Sequence, residues 1–234
     1  MAWPASTADG RDAPGWYGKL ATLGDFAQRR LPPEWVRSCD DWLSQAMQGG
    51  RDELGERWLE VYLTAPVLRF AWAPGVVDRQ WWFGLLMPSC DSVGRYFPLL
   101  IAHPRQRPPE DRIALDHLEL WYEHLAQAAM HTLNDAGGAA DALDAALRDA
   151  PPWPTPGRGP AAAAAWSDDH LQLGRSATLS QWLHALAARE LSARLAGCSV
   201  WWRVSETSTG DCVDIVRGLP QGGRFVALLA GRPA

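Results

Sequence analysis

Apolar residues recur along the chain with two different periods, and the switches between them mark its elements. Trp35, Val36, Cys39, Trp42, Leu43, Ala46 and Met47 follow helical spacing, and Leu31-Pro-Pro-Glu34 ahead of them suits a first helical turn. Gly49-Gly50 predicts the end of that helix, and a second over about 52–63 carries Leu54, Trp58, Val61 and Tyr62 on one face. The pattern then changes. Residues 66–73, 80–87 and 95–102 are short, nearly continuous apolar runs, with a Pro74-Gly75 turn after the first. Such runs predict strands buried on both faces, and their short connections favour antiparallel pairing. Gly15–Leu20 predicts a first strand, followed by a loop that places Asp25.

The second half returns to helical spacing. Leu118, Trp121, Leu125, Ala129 and Leu133 predict a long helix over about 112–134, and Gly137-Gly138 separates it from an Ala-rich helix over 139–149. Thr178-Leu-Ser-Gln181 is a capping box that opens a helix to about Leu195, with Gly197 suited to its left-handed cap. Residues 198–205 and 212–216 predict a hairpin, and 224–230 a last strand or short helix. The fold class is therefore α+β, a single domain with a mainly antiparallel sheet covered by helices on both faces. Residues 1–14 read as a flexible tail and 15–234 as the domain, with an exposed Pro/Ala-rich excursion at about 151–166.

Composition changes this picture in one respect: 14 of the 234 residues are tryptophan. They read as core, since an indole contributes a large buried area; the functional alternative is an exposed aromatic surface. The net charge of −5, with no basic stripe, excludes ordinary nucleic-acid binding. Arg105, Arg107 and Arg112 read as a solvated loop among prolines and acids. No apolar run approaches the ~18 residues of a membrane span. The first ten residues lack the basic and apolar regions of a signal peptide, which predicts a cytoplasmic location and reduced Cys39, Cys90, Cys198 and Cys212.

The candidate chemistry centres on Met87-Pro-Ser-Cys-Asp-Ser-Val-Gly-Arg-Tyr-Phe-Pro-Leu-Leu-Ile101. Asp91 and Arg95 stand four residues apart beside a run that wants burial, and Asp25 and Arg69 lie in similar apolar settings. These four predict one compact polar cluster, since unpaired buried charges are costly. Arg95 is the expected clamp, because its planar fork can grip the Asp25 or Asp91 carboxylate. Enzyme signatures fail one after another. His117, His124 and His131 are seven apart, about 10 Å along a helix, too far for one metal ion. There is no GxSxG elbow around Ser89, and Gly18-Lys19 lacks a P-loop frame. The reading is a non-enzyme with no metal, cofactor or small-molecule substrate; the alternative is a hydrolase using Ser89 or the Asp25/Asp91 pair.

The same blocks resemble a known family. Gly18-Lys19-Leu20, Gly24-Asp25-Phe26, Pro66-Val-Leu-Arg69-Phe70, Trp82-Phe-Gly84, Met87-Pro-Ser89-Cys-Asp91-Ser-Val-Gly94-Arg95-Tyr96-Phe97-Pro98-Leu99, Ser199-Val-Trp201-Trp202 and Gly218-Leu219-Pro220 are similar to the TagF (ImpM) family of type VI secretion accessory proteins. Ala21 stands where that family usually has proline, and Cys90 replaces an aliphatic residue. The resemblance implies a cytoplasmic protein, peripheral to the apparatus at the inner membrane, that restrains secretion after translation. The implied partner is the forkhead-associated (FHA) scaffold protein of the apparatus. Lys19, Asp25, Arg69, Ser89, Asp91 and Arg95 are the residues expected to bind the partner or to clamp the fold. A structural role in the baseplate or sheath is a third reading.

Overall fold

The computed structural model describes residues 12–109, 112–134, 138–153, 165–167, 170–172, 179–203 and 213–231. The first strands are β1 (Gly15–Gly18), β2 (Ala27–Arg29), β3 (Leu68–Trp72), β4 (Trp81–Met87) and β5 (Leu99–Arg105). Two short strands, β6 (Ala165–Ser167) and β7 (His170–Gln172), pair only with each other. The hairpin β8 (Cys198–Trp202) and β9 (Val213–Arg217) joins the first five in a seven-stranded sheet, in the order β2-β1-β5-β4-β3-β8-β9. Every pairing in it is antiparallel. The β3–β8 pair brings the two ends of the chain into one sheet, so the parts share a core.

Helices cover both faces. On one lie α1 (Pro33–Leu54), α2 (Trp58–Leu63) and α6 (Gly223–Leu229), packed on Phe70, Trp72, Trp82, Leu100 and Trp201. On the other lie α3 (Arg112–His131), α4 (Ala139–Arg148) and the end of α5 (Leu179–Leu195), packed on Trp16, Phe83, Leu85 and Ile101. Successive strand residues point to opposite faces, so the continuous apolar runs feed two cores at once. Trp16, Trp35, Trp42, Trp58, Trp72, Trp81, Trp82, Trp121 and Trp201 are buried, as expected of a tryptophan core.

The structure corrects several boundaries. The glycine pair at 49–50 does not end α1, which continues to Leu54 and stops at Gly55. A Cβ on Gly50 would lie 2.3 Å from the Trp58 ring, so that glycine serves close packing between α1 and α2. The strand expected at 95–102 is β5, Leu99–Arg105. It runs through Pro104, because β1 pairs only as far as Ala102 and leaves that side without a ladder to break. Arg105 thus sits in a strand, largely buried, rather than in a solvated loop. The three-residue β2 was not expected; its Ala-Gln-Arg has no alternation to reveal it. The last element is helical.

Cys198 faces Arg217 across the hairpin, and Cys39, Cys90 and Cys198 are free thiols; Cys212 lies outside the described residues. Most of the expected excursion lies outside them as well, but its first aromatic residue does not behave as an exposed one. Trp153 packs against Phe83, Trp121 and His103, with ring centroids 4.8, 5.1 and 6.0 Å apart.

Candidate functional site: a clamped turn at the strand ends

The turn between β4 and β5 is closed by its own backbone. Asp91 and Arg95 are joined by an amide-to-carbonyl bond of 3.0 Å, Phe97 donates to the Ser89 carbonyl at 3.1 Å, and Gly94 donates to the Asp91 carbonyl at 3.0 Å. Gly94 has φ 81°, a left-handed conformation that glycine adopts without a Cβ penalty. From the opposite loop, the Leu23 carbonyl accepts the Ser92 amide at 2.9 Å.

Asp91 is the centre of this arrangement. Its side chain is fully buried, and four donors converge on it. Oδ1 accepts the Val93 amide at 3.1 Å and the Arg95 amide at 2.8 Å. Oδ2 accepts the Lys19 ammonium at 2.8 Å and Arg95 Nε at 2.7 Å. Burial alone would raise this carboxyl; the Lys19, Arg95 and Val93 hydrogen bonds outweigh it and hold it well below the usual carboxylate range. Lys19 lies just past β1, and its ammonium also sits 5.0 Å from the centre of the Phe26 ring.

Ser89 ties the turn to both neighbours. Its hydroxyl donates to the Lys19 carbonyl at 2.7 Å. The buried Tyr62 hydroxyl donates to the Ser89 carbonyl at 2.9 Å and accepts the Ser89 amide at 3.0 Å. Burial pushes the Tyr62 hydroxyl far above its ordinary range, so it stays protonated for this double role. Tyr17, Phe26 and Phe97 form an aromatic trio beside the pair, and the Tyr17 hydroxyl donates to Asp40 on α1.

The expected four-membered cluster is therefore corrected in two members. Asp25 is exposed, and its carboxylate accepts the adjacent Phe26 amide at 2.8 Å. Arg69, on β3, is buried but reaches α3, where it pairs with Glu119 and lies 5.6 Å from the centre of the Tyr122 ring. The alternation of β3 explains this: Arg69 and Phe70 must face opposite sides of the sheet. Arg95 does hold the Asp91 carboxylate through Nε and ties the turn to the first loop, as expected, but it does so from an exposed position. Its side chain is 58% exposed, with Nη2 donating to the Gly24 carbonyl, whereas that of Lys19 is 6% exposed. The buried cation is Lys19, and Arg95 closes the turn from outside.

Around this clamp stands an exposed knuckle made of Gly24, Asp25, Phe26, Ser92, Val93, Gly94 and Arg95. Val93 at its tip is 69% exposed. Among the described residues, no group of three or more His, Cys, Asp or Glu is placed to hold a metal ion, and no helix is long and apolar enough to cross a membrane.

Sequence reasoning missed Tyr62, Tyr17 and Asp40 at this site. It also missed Asp144, a buried carboxylate on α4 that pairs with Arg29 at 3.3 Å, with Arg148 at 2.7 Å and with Arg30. The consecutive arginines at the end of β2 were a signal for that anchor, but nothing local to them points to α4.

The sheet, its two helical layers and the clamped turn define an α+β domain, and comparison with known proteins specifies its family. A family model described as the TagF N-terminal domain, Type VI secretion system-associated, matches residues 15–150. The crystal structure of PA0076 from Pseudomonas aeruginosa PAO1 is similar over 95% of this chain and 96% of that one, at 32% identity and a TM-score of 0.69. No curated protein matches. The chain belongs to the TagF family of type VI secretion system-associated proteins.

Proposed function

We propose that this protein is a non-enzymatic regulator that restrains type VI secretion after translation by binding the FHA-domain scaffold protein of the apparatus. It acts in the cytoplasm, peripheral to the apparatus at the inner membrane. One observation carries the reading: the carboxylate of the signature turn is satisfied inside the protein, and what the turn holds outward is a surface knuckle. Asp91 is enclosed by four donors, and the Ser89 hydroxyl donates to the Lys19 carbonyl instead of facing a base. A nucleophile needs a base within ~3 Å, and an acid/base pair needs two carboxylates that share a site. Asp25 and Asp91 lie on opposite sides of this division, one exposed and one buried.

In this reading Lys19, Ser89 and Asp91 set the shape of the knuckle, Arg69 holds α3 to the sheet, and Asp25, Phe26, Val93 and Arg95 make the contact. The test is a pull-down of the FHA scaffold protein by the intact chain, its Val93→Asp variant and its Asp25→Arg variant, alongside thermal unfolding. Capture by the wild type, lost in both variants at unchanged Tm, is the expected result. A wild type that does not capture the scaffold, or a turnover of phosphatase, esterase or peptidase substrates that disappears in Ser89→Ala, overturns the reading.

A further inference from the structure

At the far end of β5, the Arg105 guanidinium lies 4.7 Å from the centre of the Trp153 ring. Its Nη1 donates to Asp12 at 2.7 Å. Its other edge, Nε and Nη2, is closed off from solvent and has no hydrogen-bond partner. That edge is the fork with which arginine grips a carboxylate or phosphate through two parallel bonds. Buried donors are ordinarily paired, so an unpartnered fork on a buried cation marks a missing acceptor.

The neighbours suit an acceptor of negative charge. His103, two residues back on the same face of β5, is buried, and its Nε2 makes no hydrogen bond although Asp12 Oδ1 lies 3.5 Å away. Burial first, and then the Arg105 charge, hold the His103 ring well below its ordinary pKa of 6.5, while Asp12 pulls the other way. Arg30 adds its positive field to the same ring. Among the described residues Arg105 is matched by Asp12, and Arg29, Arg30 and Arg148 share Asp141 and Asp144.

We propose that Arg105, His103 and Trp153 form an oxyanion site, which takes one carboxylate or phosphate group side-on against the Nε–Nη2 edge of Arg105. Asp12, on the segment ahead of β1 and with its side chain 57% exposed, holds the opposite side of the guanidinium through Nη1. It competes with the incoming anion for the same guanidinium.

The test is thermal unfolding of the full chain in sodium phosphate, or in sodium acetate, against sodium chloride at equal ionic strength. Millimolar phosphate should raise Tm by about 3 °C in the wild type and not in Arg105→Gln. Asp12→Asn, which removes the competing carboxylate, should strengthen the apparent anion affinity several-fold. A response to both anions assigns the site to oxyanions in general; a response to phosphate alone assigns it to phosphorylated ligands, and one to acetate alone to carboxylates. A wild-type Tm indifferent to both anions, as an ordered water in the fork would give, overturns the proposal, and so does an equal rise in Arg105→Gln. If Arg105→Gln does not fold, an anion response unchanged or weakened in Asp12→Asn overturns it instead.

Discussion

The Lys19 ammonium meets the Asp91 carboxylate at 2.8 Å with both side chains closed off from solvent, although 72 residues separate them in the chain. Breaking such a pair from one side strands the other charge in the interior, which is far costlier than losing an exposed pair. Lys19→Met should therefore lower Tm by more than about 6 °C. Arg95→Ala removes an exposed partner of the same carboxylate and should lower it by only about 2–4 °C. Differential scanning fluorimetry of the two variants checks the order, and a larger loss for Arg95→Ala would return the clamp to that arginine.

Gly84 gives a sharper case. It sits mid-strand in β4, opposite Phe70 on β3 and Ala102 on β5. A Cβ there would come within 1.9 Å of the Ile101 carbonyl oxygen and 2.8 Å of the Phe70 ring. The first obstacle is backbone at the centre of the sheet, which has little freedom to retreat. Gly84→Ala should lose more than about 3 kcal/mol and accumulate as insoluble protein. Soluble expression with a wild-type urea midpoint would show that the sheet can open at that point.

Trp153 carries the boundary between core and excursion. It bridges Arg105, Phe83, His103 and Trp121 from a half-buried position. Trp153→Ala should cost about 2–4 kcal/mol in chemical denaturation, near the lower end for a large aromatic truncation. An effect below about 0.5 kcal/mol, the size expected at an open surface, would place Trp153 with the excursion after all.

The buried His103 gives the stability profile a definite sign. Its folded pKa is depressed, by burial first and then by Arg105, so below its ordinary 6.5 the unfolded chain binds a proton that the folded one refuses. Its contribution is fully present above about pH 6.5 and is lost progressively as pH falls below that value. Equilibrium unfolding between pH 7.5 and 5 should show this decline, and His103→Gln should flatten it. A variant profile parallel to the wild type would remove His103 as the cause.

The sequence by itself determined the periodic elements, because amphipathic spacing is a local property. The inward face of α1, from Trp35 to Met47, is legible from spacing alone, and so are the doubly buried runs of β3 and β4. Where a glycine or proline serves a neighbour rather than its own segment, local reading fails. Gly50 is shaped by Trp58, and Pro104 is permitted by where β1 ends. The turn at Ser89–Phe97 was legible as a site of paired charge, but which cation enters it was decided by sheet register. Pairing Gly18 with Leu99 brings the end of β1 beside the turn, and that places Lys19 next to Arg95 on the same carboxylate, on its buried side. Register likewise directs Arg69 to α3. Charge partners across a sheet depend on which strands neighbour and in what alignment, and that information lies in long-range packing, not in the spacing of residues along the chain.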